Sequence, residues 1–239
     1  MLDTQPLGNY RFLSGEGGRV PFCNAVMAEP GYEIVRATLE RSVPYQDGFK
    51  FIADYLAGLG RPRQALCGLE LRCAEPYTRD KFNEFNAGYA KLLESWGLWS
   101  DGVGSTARTN IALTLSPPTE QVLFAFSYTI PSTTERPTFV LSGAAAVGEG
   151  DGVRNKVAHV ASLLDERLKA MGLGWDATTE IVAYAPQDIE AALRSEVLPL
   201  IGAAVLNGIR WFPSRAPVID TEIELGTHGV RQELRVSAK

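Results

Sequence analysis

Apolar positions along the chain alternate between two periods. FCNAVMA and YEIVRATLE read as strands. A period near 3.6 follows: Phe49, Ile52, Ala53 and Leu56 lie on one helical face, and the helix is expected to end at Gly58-Leu59-Gly60. In LCGLELRC, residues Cys67, Leu69, Leu71 and Cys73 alternate with Gly68, Glu70 and Arg72, as in a half-buried strand. The stripe Phe82, Phe85, Tyr89, Leu92, Leu93, Trp96 predicts a second helix over about 78–96. A glycine-rich loop, WSDGVGSTA, leads to Arg108, and the strands NIALTL and QVLFAFSYTI follow.

The order then repeats beyond PSTTERP (131–137), a polar, proline-containing linker. TFVLSGAAAV reads as a strand. Val157, Val160, Ala161, Leu164, Leu168 and Met171 form a helix stripe ending at Gly172-Leu173-Gly174. TEIVAYA is a strand, and 188–206 is helical except where Pro199 should kink or divide it. FPSRAPVIDTEIEL places Arg215 before an alternating strand, and VRQELRV closes the chain. Gly60 then corresponds to Gly172 and Arg108 to Arg215. The expected fold is α+β, with two tandem lobes over 1–131 and 138–239. Each would be a mostly antiparallel sheet with two helices on one face. The uncovered faces must meet something apolar, since VLFAFSY is apolar on both sides.

Composition narrows the function classes. With 23 basic and 28 acidic residues the net charge is −5, and no Lys/Arg run marks a nucleic-acid or anionic-membrane partner. No apolar run approaches the ~20 residues of a spanning helix. The N-terminus MLDTQPLGNYRF lacks a signal-peptide layout. Cys67 and Cys73, six residues apart in one strand, would sit about 20 Å apart, too far for a disulfide. Reduced thiols and a cytoplasmic location are expected. His159 and His228 belong to no metal-ligand spacing, so no metal is expected. GEGG (15–18) and GEGDG (148–152) lack the ending of a phosphate loop and read as tight turns.

Several segments, in order, carry a family resemblance. VPFCNAV (20–26), DKFNEFNAGYAKLLESWG (80–97), ARTNIAL (107–113), VLSGAAAV (140–147), FPSRAPV (212–218) and VRQELRV (230–236) are similar to motifs of the RidA/YjgF enamine–imine deaminases. The resemblance covers nearly the whole chain as two tandem copies. A narrower one points to deaminases of 2-aminomuconate-type acids. It implies a cofactor-independent hydrolysis, in which an enamine tautomerises to an imine that water attacks, releasing ammonia. It also implies a homotrimer, with six lobes here.

By the same resemblance Arg108 holds the substrate carboxylate and Glu233 orients the attacking water. Phe22, Asn86, Asn110, Gly143 and Arg215 fall at or near substrate-binding positions. From the residues alone, Arg108 reads first as a surface ion-pair partner and Glu233 as a solvent-facing strand residue, while Phe22 reads equally as core. Asn110 and Pro217 stand where the family has cysteine. The first copy has Ala125 near the glutamate position, so clefts pairing Arg108 with Glu233 are expected to be active. The rival readings are other chemistry on an unsaturated acid, or a non-catalytic metabolite-binding protein.

Overall fold

A computed structural model describes residues 2–15, 22–100, 102–147 and 152–238. The first part of the chain forms β1 (Asp3–Gln5), β2 (Tyr10–Ser14), β3 (Cys23–Ala28), β4 (Tyr32–Pro44), α1 (Tyr45–Gly58), β5 (Leu66–Cys73), α2 (Arg79–Ser95), β6 (Trp99–Ser100), β7 (Val103–Gly104), β8 (Ala107–Leu113) and β9 (Val122–Pro131). The second part forms β10 (Phe139–Leu141), β11 (Ala144–Val147), α3 (Val153–Ala170), β12 (Glu180–Tyr184), β13 (Arg210–Phe212), β14 (Ser214–Arg215), β15 (Thr221–His228) and β16 (Gln232–Val236), with a helical run over 190–207 between β12 and β13. Most of the GEGG and GEGDG segments lie outside the described residues.

The predicted helices form where the 3.6 period stands. α1 and α3 both end on a left-handed glycine, Gly60 at φ 66° and Gly172 at φ 74°. Arg61 N donates to Leu56 O at 2.8 Å and Leu173 N to Leu168 O at 2.9 Å, so the two ends close in the same way. The matching glycines therefore mark matching turns. The run 190–207 divides as expected: a π segment, Leu193–Val197, immediately precedes the turn holding Pro199. Proline offers no N–H to the ladder, and a wider turn accommodates its ring.

Two larger sheets carry the fold. One runs β1-β2-β3-β10-β15-β12-β13, with β11 also on β15; the other runs β14-β8-β5-β9-β4-β16. Residues 1–131 and 138–239 each supply strands to both sheets. β3 pairs with β10, β14 pairs with β8, and β16 lies parallel to β4. These crossings tie the two parts of the chain by backbone hydrogen bonds as well as by side chains.

Period-2 alternation sorts the side chains into layers. Val35, Ala37, Leu69, Leu71 and Phe126 turn toward α1 and α2. Ala25, Met27, Ile181, Ala183, Ile223 and Leu225 turn toward α3 and the 190–207 run. The intervening positions meet between the sheets, where Tyr10, Val26, Ile34, Cys67 and Ala107 pack together. Each fully buried Val, Leu, Ile or Phe among them contributes about 1.5–3 kcal/mol. The sheet-on-sheet contact answers the apolar second face of VLFAFSY. The three cysteines are free and buried, as the spacing of Cys67 and Cys73 required. Among the described residues no helix is long and apolar enough to cross a membrane.

TFVLSGAAAV departs from expectation. It is two strands, broken at Ser142–Gly143. That break builds the candidate site.

Candidate functional site

A cleft of about 1480 Å³ opens between α2, the Ser142–Gly143 break and α3. Its first wall is β8 beneath α2. β8 lies parallel to β5, with Arg108 beside Leu69 and Asn110 beside Leu71. Leu69 and Leu71 face the helices, so Arg108 and Asn110 also point under α2. There the Arg108 guanidinium stands 4.4 Å from the Tyr89 ring, 5.4 Å from Phe85 and 5.7 Å from Phe82. Its Nη2 donates to Asn86 Oδ1 at 2.7 Å. The aromatic stripe read as helix core is thus also a cradle for a cation.

Arg108 forms no ion pair among the described residues, and its Nη1 is buried without a partner. Burial lowers the guanidinium from its ordinary value, although it stays a cation. Asn110 is buried with both amide atoms unpartnered, and Asn24 Oδ1, Tyr89 Oη and Thr106 Oγ1 share that condition. Six of the nine such atoms among the described residues belong to this cleft. Unpaired buried polar atoms are costly and rare, so their concentration here marks a place that a polar ligand completes.

The second wall comes from the broken strand. The Ser142 hydroxyl accepts from Arg108 N at 3.0 Å and donates to Cys23 O at 2.5 Å. Gly143 N donates to Arg108 O at 3.3 Å. A Cβ on Gly143 would lie 1.7 Å from Oε1 of Glu224. Glycine is therefore what admits the Glu224 carboxyl to the cleft. Glu224 sits in β15, on the face opposite Ile223 and Leu225. Its carboxyl accepts no hydrogen bond among the described residues. Burial pushes it up to about 8, against the pull of Arg72, Arg167 and Arg108. An unsolvated carboxyl near neutrality can give a proton and take one back.

Five of the seven expected residues line this one cleft: Arg108, Asn110, Asn86, Gly143 and Phe22, whose ring is 40% exposed at the mouth. Arg215 is elsewhere. Its Nη2 donates to Ile219 O at 2.6 Å and Thr221 O at 3.4 Å, holding the turn before β15. Glu233 does not line this cleft; it shares the cleft between the sheets with Arg108, and no ion pair joins the two among the described residues. VRQELRV is an additional strand that crosses to β4, whereas the strand beside Gly143 is β15. Glu224 went unrecognised for that reason. The signal for it was present in TEIEL, whose alternation sets Glu222 and Glu224 opposite Ile223 and Leu225. His159 of α3 also lines the cleft.

Glu233 belongs to a smaller cleft of about 720 Å³ between the sheets. There Arg36 meets Glu70 at 2.6 Å and Glu233 at 3.4 Å, Arg210 meets Glu180 at 2.6 Å, and Arg72 meets Glu70 at 3.5 Å. His228 Nε2 lies 2.6 Å from Glu180 and 3.6 Å from Glu233. Burial alone would raise the Glu70 carboxyl, but Arg36 and Arg72 draw it down to about 2. Glu180, His228 and Glu233 bring one ligand atom each within 4.8 Å of one another, as a metal ion would need. Arg36 and Arg210 already compensate those carboxylates, so the donor set does not fit a divalent cation.

Comparison with known proteins follows the same line. A family model described as "2-aminomuconate deaminase CnbZ" matches residues 2–234. The 2-amino-5-chloromuconate deaminase of Comamonas testosteroni is 33% identical over 244 residues, covering 95% of each chain. Among solved structures, a proposed endoribonuclease from Thermotoga maritima aligns at 14% identity over 40% of this chain and 80% of its own, with a TM-score of 0.34. A member of the YjgF/YER057c/UK114 family from Mycobacterium tuberculosis aligns at 14% identity over 39% and 78%, with a TM-score of 0.31. Matched along nearly its full length by that family model and that muconate deaminase, the chain belongs to the 2-aminomuconate deaminase CnbZ family.

Proposed function

We propose that the protein hydrolyses a 2-aminomuconate-type enamine acid to the oxo acid and ammonia, with no cofactor, in the cleft between Arg108 and Glu224. One observation carries this reading: a carboxyl that, among the described residues, accepts no hydrogen bond shares a cleft with a guanidinium whose buried Nη1 has no partner among them, and Gly143 is what admits that carboxyl. Arg108 grips the carboxylate next to the amino-bearing carbon, as a planar fork does. Protonated Glu224 gives its proton to the enamine carbon, and the C=C–NH2 unit becomes a C=NH2⁺ iminium. The Glu224 carboxylate then takes a proton from water as the oxygen bonds to the iminium carbon. The carbinolamine receives that proton on nitrogen. Its C–N bond breaks, ammonia leaves, and the hydroxyl proton returns to Glu224.

A group near 8 suits both directions of transfer, since neither form is scarce around neutrality. Asn110 can donate to the forming oxygen or hold the imine nitrogen. Positioning supplies much of the remaining rate. The resemblance-based expectations of a cytoplasmic homotrimer belong to this proposal, and native mass measurement tests the trimer. The decisive assay follows ammonia and loss of diene absorbance with 2-aminomuconate. Turnover in the wild type and its loss in Arg108→Ala support the reading, and full turnover in that variant refutes it.

A further inference from the structure

The same cleft holds a second guanidinium that the scheme above leaves unused. Arg167 stands near the end of α3 and lines the cleft. Its Nη1 donates to the Ser142 carbonyl at 2.7 Å. The hydroxyl of the same Ser142 accepts from Arg108 N. One residue at the strand break therefore contacts the guanidinium of Arg167 and the backbone of Arg108.

The Arg167 guanidinium makes no other hydrogen bond and no ion pair among the described residues. Arg79, a third arginine of the cleft, is by contrast paired with Asp220 at 2.7 Å. Burial draws Arg167 down to about 10, so it is charged at neutral pH. The acids nearby do not balance it. Glu224 is held largely protonated by burial, and Asp80 and Glu166 are exposed at the rim. Two partly buried cations thus share a cleft without matching anions among the described residues. An unmatched buried charge is unfavourable, and a bound carboxylate removes that penalty at each arginine.

We infer that Arg167 binds the distal carboxylate of the substrate while Arg108 holds the proximal one, which makes the cleft selective for unsaturated amino dicarboxylic acids over monocarboxylic analogues. The inference rests on the deaminase reading only for the substrate class. The guanidinium pair itself predicts dianion binding whether or not turnover occurs.

Calorimetry with trans,trans-muconate and sorbate separates these points, because the two share chain length and unsaturation and differ by one carboxylate. The wild type should prefer muconate. Arg167→Met should lower the muconate-to-sorbate affinity ratio by roughly 10- to 100-fold, the range for a charge-assisted hydrogen-bonded contact. Arg167→Lys should restore part of it. A parallel loss of both ligands would show that Arg167 only holds Ser142, and would overturn the inference. So would an unaltered ratio, or no muconate binding to the wild type at millimolar concentration. A collapsed ratio without ammonia release from 2-aminomuconate would overturn the deaminase reading alone. Ammonia release with an unaltered ratio would overturn the role of Arg167 alone.

Discussion

Glu224→Gln separates the chemistry of this cleft from its stability. The substitution keeps shape and removes the titrating proton. In the fold the carboxyl is raised from 4.5 to about 8, first by desolvation. The folded chain therefore binds more protons than the unfolded chain between those values. Stability must fall as pH rises through that window and level off above about 8. The shift caps the penalty for ionising Glu224 at about 5 kcal/mol. A quarter of that, about 1 kcal/mol, moves the Tm of a chain this size by about 2–4 °C. Glutamine carries no such penalty. Thermal melts at pH 5, 7 and 9 should show Glu224→Gln gaining on the wild type as pH rises. Ammonia release should fall about 10²- to 10⁴-fold, as for loss of a general acid–base group. A Tm difference independent of pH, or retained turnover, would refute the assignment of Glu224 as a desolvated proton carrier.

Other outcomes follow from the same geometry. Gly143→Ala should cut kcat/KM by about 100-fold, because its Cβ displaces the Glu224 carboxyl; steady-state rates beside an unchanged circular dichroism spectrum check it. Glu233→Gln should lower turnover less than tenfold and stability by less than about 1 kcal/mol, since its partners sit in the other cleft and its side chain is 42% exposed; chemical denaturation and the ammonia assay read both. Arg108→Lys loses the fork that holds Asn86 and that, in the proposed reaction, also grips the substrate carboxylate. It should therefore raise KM and lower kcat/KM by at least about tenfold in the same assay. Phe126→Ala removes a ring packed on Phe51, Tyr55 and Tyr128. It should cost about 3–5 kcal/mol in urea unfolding.

Local patterns carried much of the fold. The glycines at 60 and 172, the Phe85–Tyr89 stripe and the alternation of LCGLELRC each specify their own turn, helix face or strand, because neighbours in sequence satisfy the local geometry. Arg108, Asn86, Asn110, Phe22 and Gly143, singled out through the order of motifs, line one cleft. Arg215 looked equivalent to Arg108 by position, yet its guanidinium is spent on backbone carbonyls. Glu233 looked equivalent to a catalytic glutamate, yet its strand crosses to the opposite sheet.

The sequence by itself determined two repeats of strands and helices and their layering. Only the tertiary structure brought the Glu224 carboxyl into the cleft that Arg108 lines. Strand pairing across the two parts of the chain is long-range, and a crossing strand such as β16 has the same local alternation whichever sheet receives it. The break at Ser142–Gly143 belongs to the same class. Its reason is the Glu224 carboxyl, about eighty residues away in sequence and in contact only after the sheets assemble.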